Sequence, residues 1–262
     1  MLPILQSKSL SEAGFSHGFT TRQGGVSPPP YDTLDFALLR APALLRENQI
    51  RLAEAVGFDV GVLHQAKQVH GPELLVARGD PTATVKLEAD ALAAEPGTRH
   101  AVAVRVADCV PVLIADRASG RVAAVHAGWR GVEAGVVRVS VGHLAEAPGA
   151  GRPQSFAAAI GPCIGACCFE VGSDVAERIA AASTHEVVTR RVGDKAFVDL
   201  RAAVRFQLRS LGLTDDAIDD VPGRGPAGCT RCDRARFYSY RRDGDASGRL
   251  VGVIVARSFE SG

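Results

Sequence analysis

Short apolar runs closed by turn residues dominate the middle of the chain, and residues 101–107, 111–115, 121–126 and 155–160 read as strands. Elsewhere the apolar positions recur at helical spacing, predicting helices over 43–56, 131–146, 173–182 and 199–211. The last is the clearest. Asp199 can cap it, Leu200, Val204, Leu208 and Leu211 form one stripe, and Gly212 follows as a C-terminal cap. Ser173 or Asp174 is the expected N-cap of the helix before it, and 237–240 and 250–256 read as strands again.

This mixture is α+β or α/β. A link as short as 116–120 suits a hairpin and not a crossover, so antiparallel neighbours are favoured. Residues 27–30 and 147–153 are loop-like, and no internal repeat or long linker divides the chain, so one domain over 1–262 is expected. At 262 residues, 46% hydrophobic, 23% charged and mean hydropathy +0.07, the chain is neither disordered nor collagenous. A chain of this size buries roughly 70–75% of its unfolded surface, so it needs no disulfide or metal merely to fold.

A formal charge of +1 gives no strong field toward nucleic acid or anionic lipid, which points to a small-molecule partner. No apolar stretch approaches the ~18 residues of a membrane span, and residues 1–10 lack the pattern of a signal peptide, so a cytoplasmic location is expected. In a reducing compartment six cysteines are thiols or metal ligands before they are disulfides.

Three segments concentrate unusual residues: Gln68-Val69-His70-Gly71, Ala107-Asp108-Cys109-Val110-Pro111 and His126-Ala127-Gly128-Trp129-Arg130-Gly131. Each lies at the end of an expected strand or in a turn, where side chains from separate segments converge. Imidazole with thiolate suits Zn²⁺, and three protein ligands leave a fourth position open for a water of lowered pKa. Packed core histidine and cysteine is the alternative reading of the same residues.

Together with Phe19-Thr20-Thr21-Arg22-Gln23-Gly24-Gly25-Val26-Ser27, Ile160-Gly161-Pro162-Cys163-Ile164 and Phe237-Tyr238-Ser239-Tyr240-Arg241-Arg242, these segments resemble the YfiH/laccase-domain family over about residues 15–255. That family is described both as multi-copper polyphenol oxidase laccase-like and as purine nucleoside phosphorylase. The resemblance implies a layered α/β/β/α domain with mixed, largely antiparallel sheets, and a zinc held by His70, Cys109 and His126. It also implies phosphorolysis of adenosine, inosine, guanosine and methylthioadenosine, with adenosine deaminase activity. Asp35 stands where the family pattern has Asn.

For phosphate, Arg22 beside Gly24-Gly25 offers a guanidinium fork next to approachable backbone. Asp108 is read as orienting a ligand imidazole or carrying a proton, and Gln68 as binding base or ribose; each can instead tie down a turn. Trp129 reads as an anchor for the turn after His126, and the remaining five histidines as surface or packing residues.

Rival readings share these residues. A copper oxidase fits a His₂Cys set, but the one methionine is Met1 and no His-x-His pair occurs among seven histidines. A metal-free hydrolase would use Cys109 as nucleophile and His126 as base, leaving His70 dispensable. A zinc-stapled interaction module would draw on Cys163, Cys167, Cys168, Cys229 and Cys232, and editing of a cell-wall precursor is a further enzymatic alternative. The arginine-aromatic stretch 231–242 could stack on single strands, yet the overall charge argues against nucleic acid. Gly223-x-Gly225-x-x-Gly228 lacks the strand and helix of a dinucleotide site, and no cytidine-deaminase signature is present.

Overall fold

A computed structural model describes residues 2–37, 41–146, 149–223 and 228–257. Positions 147 and 148 of the expected 147–153 loop and 224–227 of the glycine motif lie outside the described residues.

A six-stranded sheet runs in the order Ile218–Asp220 (β13), Phe156–Ile160 (β9), Val110–Asp116 (β7), Val122–Ala127 (β8), Ala91–Ala94 (β5) and Leu74–Val76 (β4). A five-stranded sheet packs on it: Ile4–Leu5 (β1), His17–Thr20 (β2), Leu250–Val255 (β14), Ala101–Val106 (β6) and Leu63–His64 (β3). Within these two sheets only β13–β9, β4–β5 and β3–β6 pair in parallel. The 116–120 link closes the β7–β8 hairpin as expected. A small sheet of Glu170–Gly172 (β10), Lys195–Val198 (β12) and Val188–Val192 (β11) stands apart.

Period-2 patterning assigns each sheet two buried faces. Leu113 and Ala115 of β7, Val122 and Ala124 of β8, and Val102 and Val104 of β6 meet between the sheets. Val110, Val112 and Ile114 face outward to helices Trp129–Ala134 (α4), Val136–Glu146 (α5), Ser173–Ala181 (α6) and Leu200–Ser210 (α7). Ala101, Ala103, Val251 and Val253 cover the opposite side against Pro42–Val56 (α2). The result is the layered α/β/β/α arrangement with largely antiparallel sheets. Each fully buried Val, Leu or Ile contributes ~1.5–3 kcal/mol, so the two interlayer cores are the main driving force of the sandwich. Short helices Lys8–Glu12 (α1), Pro81–Thr84 (α3) and Tyr240–Asp243 (α8) fill corners.

Three local expectations are corrected. The helix expected over 131–146 is two, because Gly135 adopts φ 86° and closes α4 before α5 begins. Gly172, not Ser173 or Asp174, is the N-cap of α6. Residues 237–240 do not form a strand: consecutive Phe237 and Tyr238 are both buried, the N–H of Phe237 returns to Asp233 O, and Ser239 Oγ accepts from Arg242 N–H to start α8. At α7 the reading holds, with the Asp199 carboxylate accepting from Ala202 N–H.

Candidate active site

His126 continues the inward-facing row of β8, and Cys109 lies in the tight turn leading into β7, so both emerge at the same end of the sandwich. His70 joins them from the 69–71 turn, where it adopts φ 64°, a left-handed conformation that a non-glycine residue holds only when its surroundings enforce it. The enforcing group is Asp90, fully buried at the start of β5. Its carboxylate accepts N–H bonds from Val69 (3.0 Å), His70 (2.9 Å) and Gly71 (2.8 Å), and from His126 Nδ1 (2.7 Å). One acid therefore sets the His70 turn and orients the His126 ring, leaving Nε2 to face the cluster.

The ligand atoms of His70, Cys109 and His126 lie within 4.8 Å of one another, and the two imidazoles meet edge to face at 4.8 Å. Gly128 makes room for them: a Cβ there would sit 2.9 Å from His70 Cδ2 and 3.2 Å from Cys109 Sγ. Desolvation pushes the Cys109 thiol up, but His126 and His70 outweigh it and bring it down to about 6. Desolvation likewise disfavours charged His126, but Cys109 and Asp90 raise it to about 9. Thiolate and imidazole beside a carboxylate-oriented ring make a donor set that fits a divalent soft metal.

These residues floor a cavity of about 400 Å³ with Ile164, Phe169 and Tyr240 on its walls. The cavity also gathers Arg105, Arg241 and Arg249. Arg105 Nη2 donates to Ala66 O at 2.9 Å, while its buried Nη1 has no hydrogen-bond partner among the described residues. Burial, and then the nearby Arg249, lower the Arg105 guanidinium to about 10. Arg105, Arg241 and Arg249 give the cavity a cationic lining, which favours an anionic group in physical terms.

Arg22 is not there. It lines a separate cleft with Asp32 and Arg234, and its guanidinium is held by Asp32 O (2.9 Å), Arg234 O (3.3 Å) and Pro30 O (3.3 Å). The neighbouring glycines serve packing: a Cβ on Gly25 would strike Thr33 O, Asn48 Oδ1 and Leu34 Cα. Gln68 lines the cavity, but its amide pairs in both directions with the Arg105 backbone, each at 2.8 Å, and so occupies the edge of β6 beyond its pairing with β3. Asp108 (φ 93°) does not touch an imidazole; it accepts from Thr230 Oγ1 and Arg241 N–H, both at 2.6 Å, and so fastens 230–241 along the cavity wall. Asp35 accepts from Arg249 N–H at 2.7 Å.

Residues 16–257 match the family model described as multi-copper polyphenol oxidoreductase laccase. The chain belongs to this laccase-like YfiH family. It is 38% identical over 255 residues to the Deinococcus radiodurans protein named purine nucleoside phosphorylase, covering 97% of this chain and 92% of that one. It is 36% identical over 242 residues to Escherichia coli purine nucleoside phosphorylase YfiH, covering 90% and 91%. The solved structure titled Bacillus licheniformis hypothetical protein YfiH superposes with TM-score 0.87 at 26% identity, over 98% of this chain and 97% of that one. YlmD from Geobacillus stearothermophilus gives 0.84 at 29% identity, over 96% and 94%.

Within this YfiH-family chain the residues missed from sequence carried faint signals. Arg105 is a charge inside the apolar run 101–106, and Asp90 is an acid directly before the apolar β5. Trp129 lies outside the cavity lining, between Arg130 (4.4 Å) and Arg178 (5.0 Å), and packs on the helical core, as an anchor does. Of the five remaining cysteines, four gather in one group, and Cys163 stays buried beside Arg201. No helix among the described residues is long and apolar enough to cross a membrane.

Proposed function

We propose that the chain, acting as one catalytic domain over 1–262, is a zinc-dependent purine nucleoside phosphorylase with accompanying adenosine deaminase activity. The observation that carries it is the His70, Cys109, His126 cluster, locked by Asp90, in the floor of an arginine-lined cavity of nucleoside size. The names of the relatives point to the same reaction.

His70, Cys109 and His126 would hold the zinc, which supplies Lewis-acid polarisation when bound. In phosphorolysis a phosphate oxygen bonds to C1′ of the ribose, the C1′–N9 bond breaks, and the purine takes up a proton. Arg105 and Arg249, with Arg241 at the rim, concentrate phosphate and offset its charge as it nears the sugar. Phe169 and Ile164 would give the purine an apolar wall, and Asp108, on the cavity lining, is our candidate for passing a proton to the leaving base. Arg22, committed to three carbonyls, keeps the 30–32 turn against 234 and has no part in phosphate binding.

A specific observation favours one second reading. A thiolate at Cys109 paired with His126 is the activated pair of a metal-free hydrolase. That reading gives no purpose to the enforced left-handed geometry of His70. The two are separated by His70→Ala, assayed with adenosine and phosphate by chromatography for adenine and ribose 1-phosphate. Loss of one zinc equivalent together with product formation supports the zinc enzyme. Full activity in His70→Ala supports the Cys-His pair.

A further inference from the structure

Four cysteines meet behind the cavity wall. Cys167 and Cys168 come from the turn entering β10, and Cys229 and Cys232 from the turn that also carries Thr230. Their four Sγ atoms lie within 4.8 Å of one another, with Cys168–Cys232 at 3.4 Å and Cys167–Cys232 at 3.7 Å, and none is in a disulfide. A tetrahedron built on Zn–S bonds of ~2.3 Å has edges of about 3.8 Å. The sulfurs thus stand at the spacing of four ligands around one ion, and well beyond the ~2.05 Å of a disulfide.

We propose that Cys167, Cys168, Cys229 and Cys232 bind one zinc ion in a closed, structural tetrathiolate site, separate from the His70, Cys109, His126 centre. The backbone is arranged for it. Gly165 N–H donates to Cys229 Sγ at 3.2 Å, which favours a thiolate at that position. A Cβ on Gly165 would press on Cys229 Cβ at 3.2 Å and Cys167 Sγ at 3.3 Å, so the glycine keeps the sulfur cluster open. An isolated parallel backbone β-bridge pairs residues 163 and 229, with Thr230 N–H donating to Cys163 O at 3.0 Å, and sets the two turns side by side. Arg231 lies beside Cys168, a cation next to a site that carries two net negative charges when filled. Two of the sulfurs belong to exposed residues, which gives the ion an entry path.

The same turns carry Phe169 and, through Thr230 and Asp108, the wall of the cavity. The ion would therefore fasten together two segments that shape the substrate site, without itself lying in the cavity. Of the five cysteines the sequence offers for a zinc staple, the fold leaves out Cys163, which is buried beside Arg201.

The test reads the metal directly. Wild type, Cys167→Ser and Cys232→Ser are purified from zinc-supplemented cells and analysed for zinc by mass spectrometry, then prepared with cobalt for visible spectroscopy. Each variant is expected to hold one zinc fewer per chain than wild type and to lose the intense sulfur-to-cobalt bands of a tetrathiolate. His126→Ala is expected to lose the other zinc and keep those bands, so failure of the phosphorylase reading is seen separately. Should a serine variant not fold, an organomercurial added to His126→Ala protein, which lacks the zinc at Cys109, is expected to release one zinc as these four thiols react, located by peptide mapping. Equal zinc in wild type and both folded variants overturns the proposal. So does release of no zinc on modification of the four thiols, or a disulfide among them in freshly purified protein.

Discussion

Asp90→Asn is the most informative single change, because one buried carboxylate serves four donors. Oδ1 takes His70 N–H and His126 Nδ1, while Oδ2 takes Val69 N–H and Gly71 N–H. Asparagine has one acceptor oxygen, so in either orientation its amide nitrogen confronts two N–H donors. Two stranded buried donors cost ~1–3 kcal/mol each, giving a destabilisation of about 2–6 kcal/mol. The His70 turn and the His126 ring lose their common reference, so zinc affinity falls about 10–100-fold. Urea denaturation and competition with a zinc-binding dye measure the two effects. There is also a pH signature. Burial raises the Asp90 carboxyl, but His126 and the Gly71 and Val69 N–H groups outweigh it and hold it below its ordinary value. Its stabilisation is complete above about pH 3.9 and is lost as pH falls through the depressed folded value. Asp90→Asn removes that acid limb. Stability within about 0.5 kcal/mol of wild type, with unchanged zinc affinity, would refute the reasoning.

Other outcomes follow from the same geometry. Gly128→Ala brings a methyl to 2.9 Å from His70 and 3.2 Å from Cys109, so zinc content drops while overpacking costs ~1–3 kcal/mol by thermal denaturation. Arg105→Gln raises KM for phosphate about tenfold and leaves KM for nucleoside little changed, whereas Arg22→Gln leaves both unchanged; phosphate titrations decide. In metal-stripped protein, alkylation of Cys109 rises with a midpoint at about pH 6, and added zinc suppresses it, read by iodoacetamide labelling. The Cys109–His126 pair also carries a stability term. The raised His126 favours the fold below its unfolded ~6.5 and the depressed Cys109 favours it above its unfolded ~8.5, so between about 6 and 9 the two opposite slopes nearly cancel and urea denaturation of stripped protein finds this contribution almost flat with pH.

The central strands were legible because both faces of β6, β7 and β8 are buried, which leaves near-continuous apolar runs. β5 escaped notice as an alanine-rich stretch of weak strand preference, and β11 because most of its residues are exposed. Residues 237–240 look like a strand by composition, yet the backbone there bonds within its own turns. At the site, His70, Cys109 and His126 stood out as rare residue types at strand ends. Asp90 did not, since an acid becomes informative only when tertiary structure brings three N–H groups and an imidazole to it. The arginines of the cavity were hidden for the same reason: nothing local separates Arg105 and Arg249 from Arg22, whose fork is taken up by the carbonyls of Pro30, Asp32 and Arg234 in another cleft.

Zinc returned stepwise to chelator-stripped protein, with phosphorolysis of adenosine followed at each addition, tests the central claim most directly. The account predicts that stripped protein is inactive, that adenine and ribose 1-phosphate formation recovers with zinc bound, and that His126→Ala neither regains that equivalent nor turns over. Full phosphorolysis in metal-free wild type would contradict it.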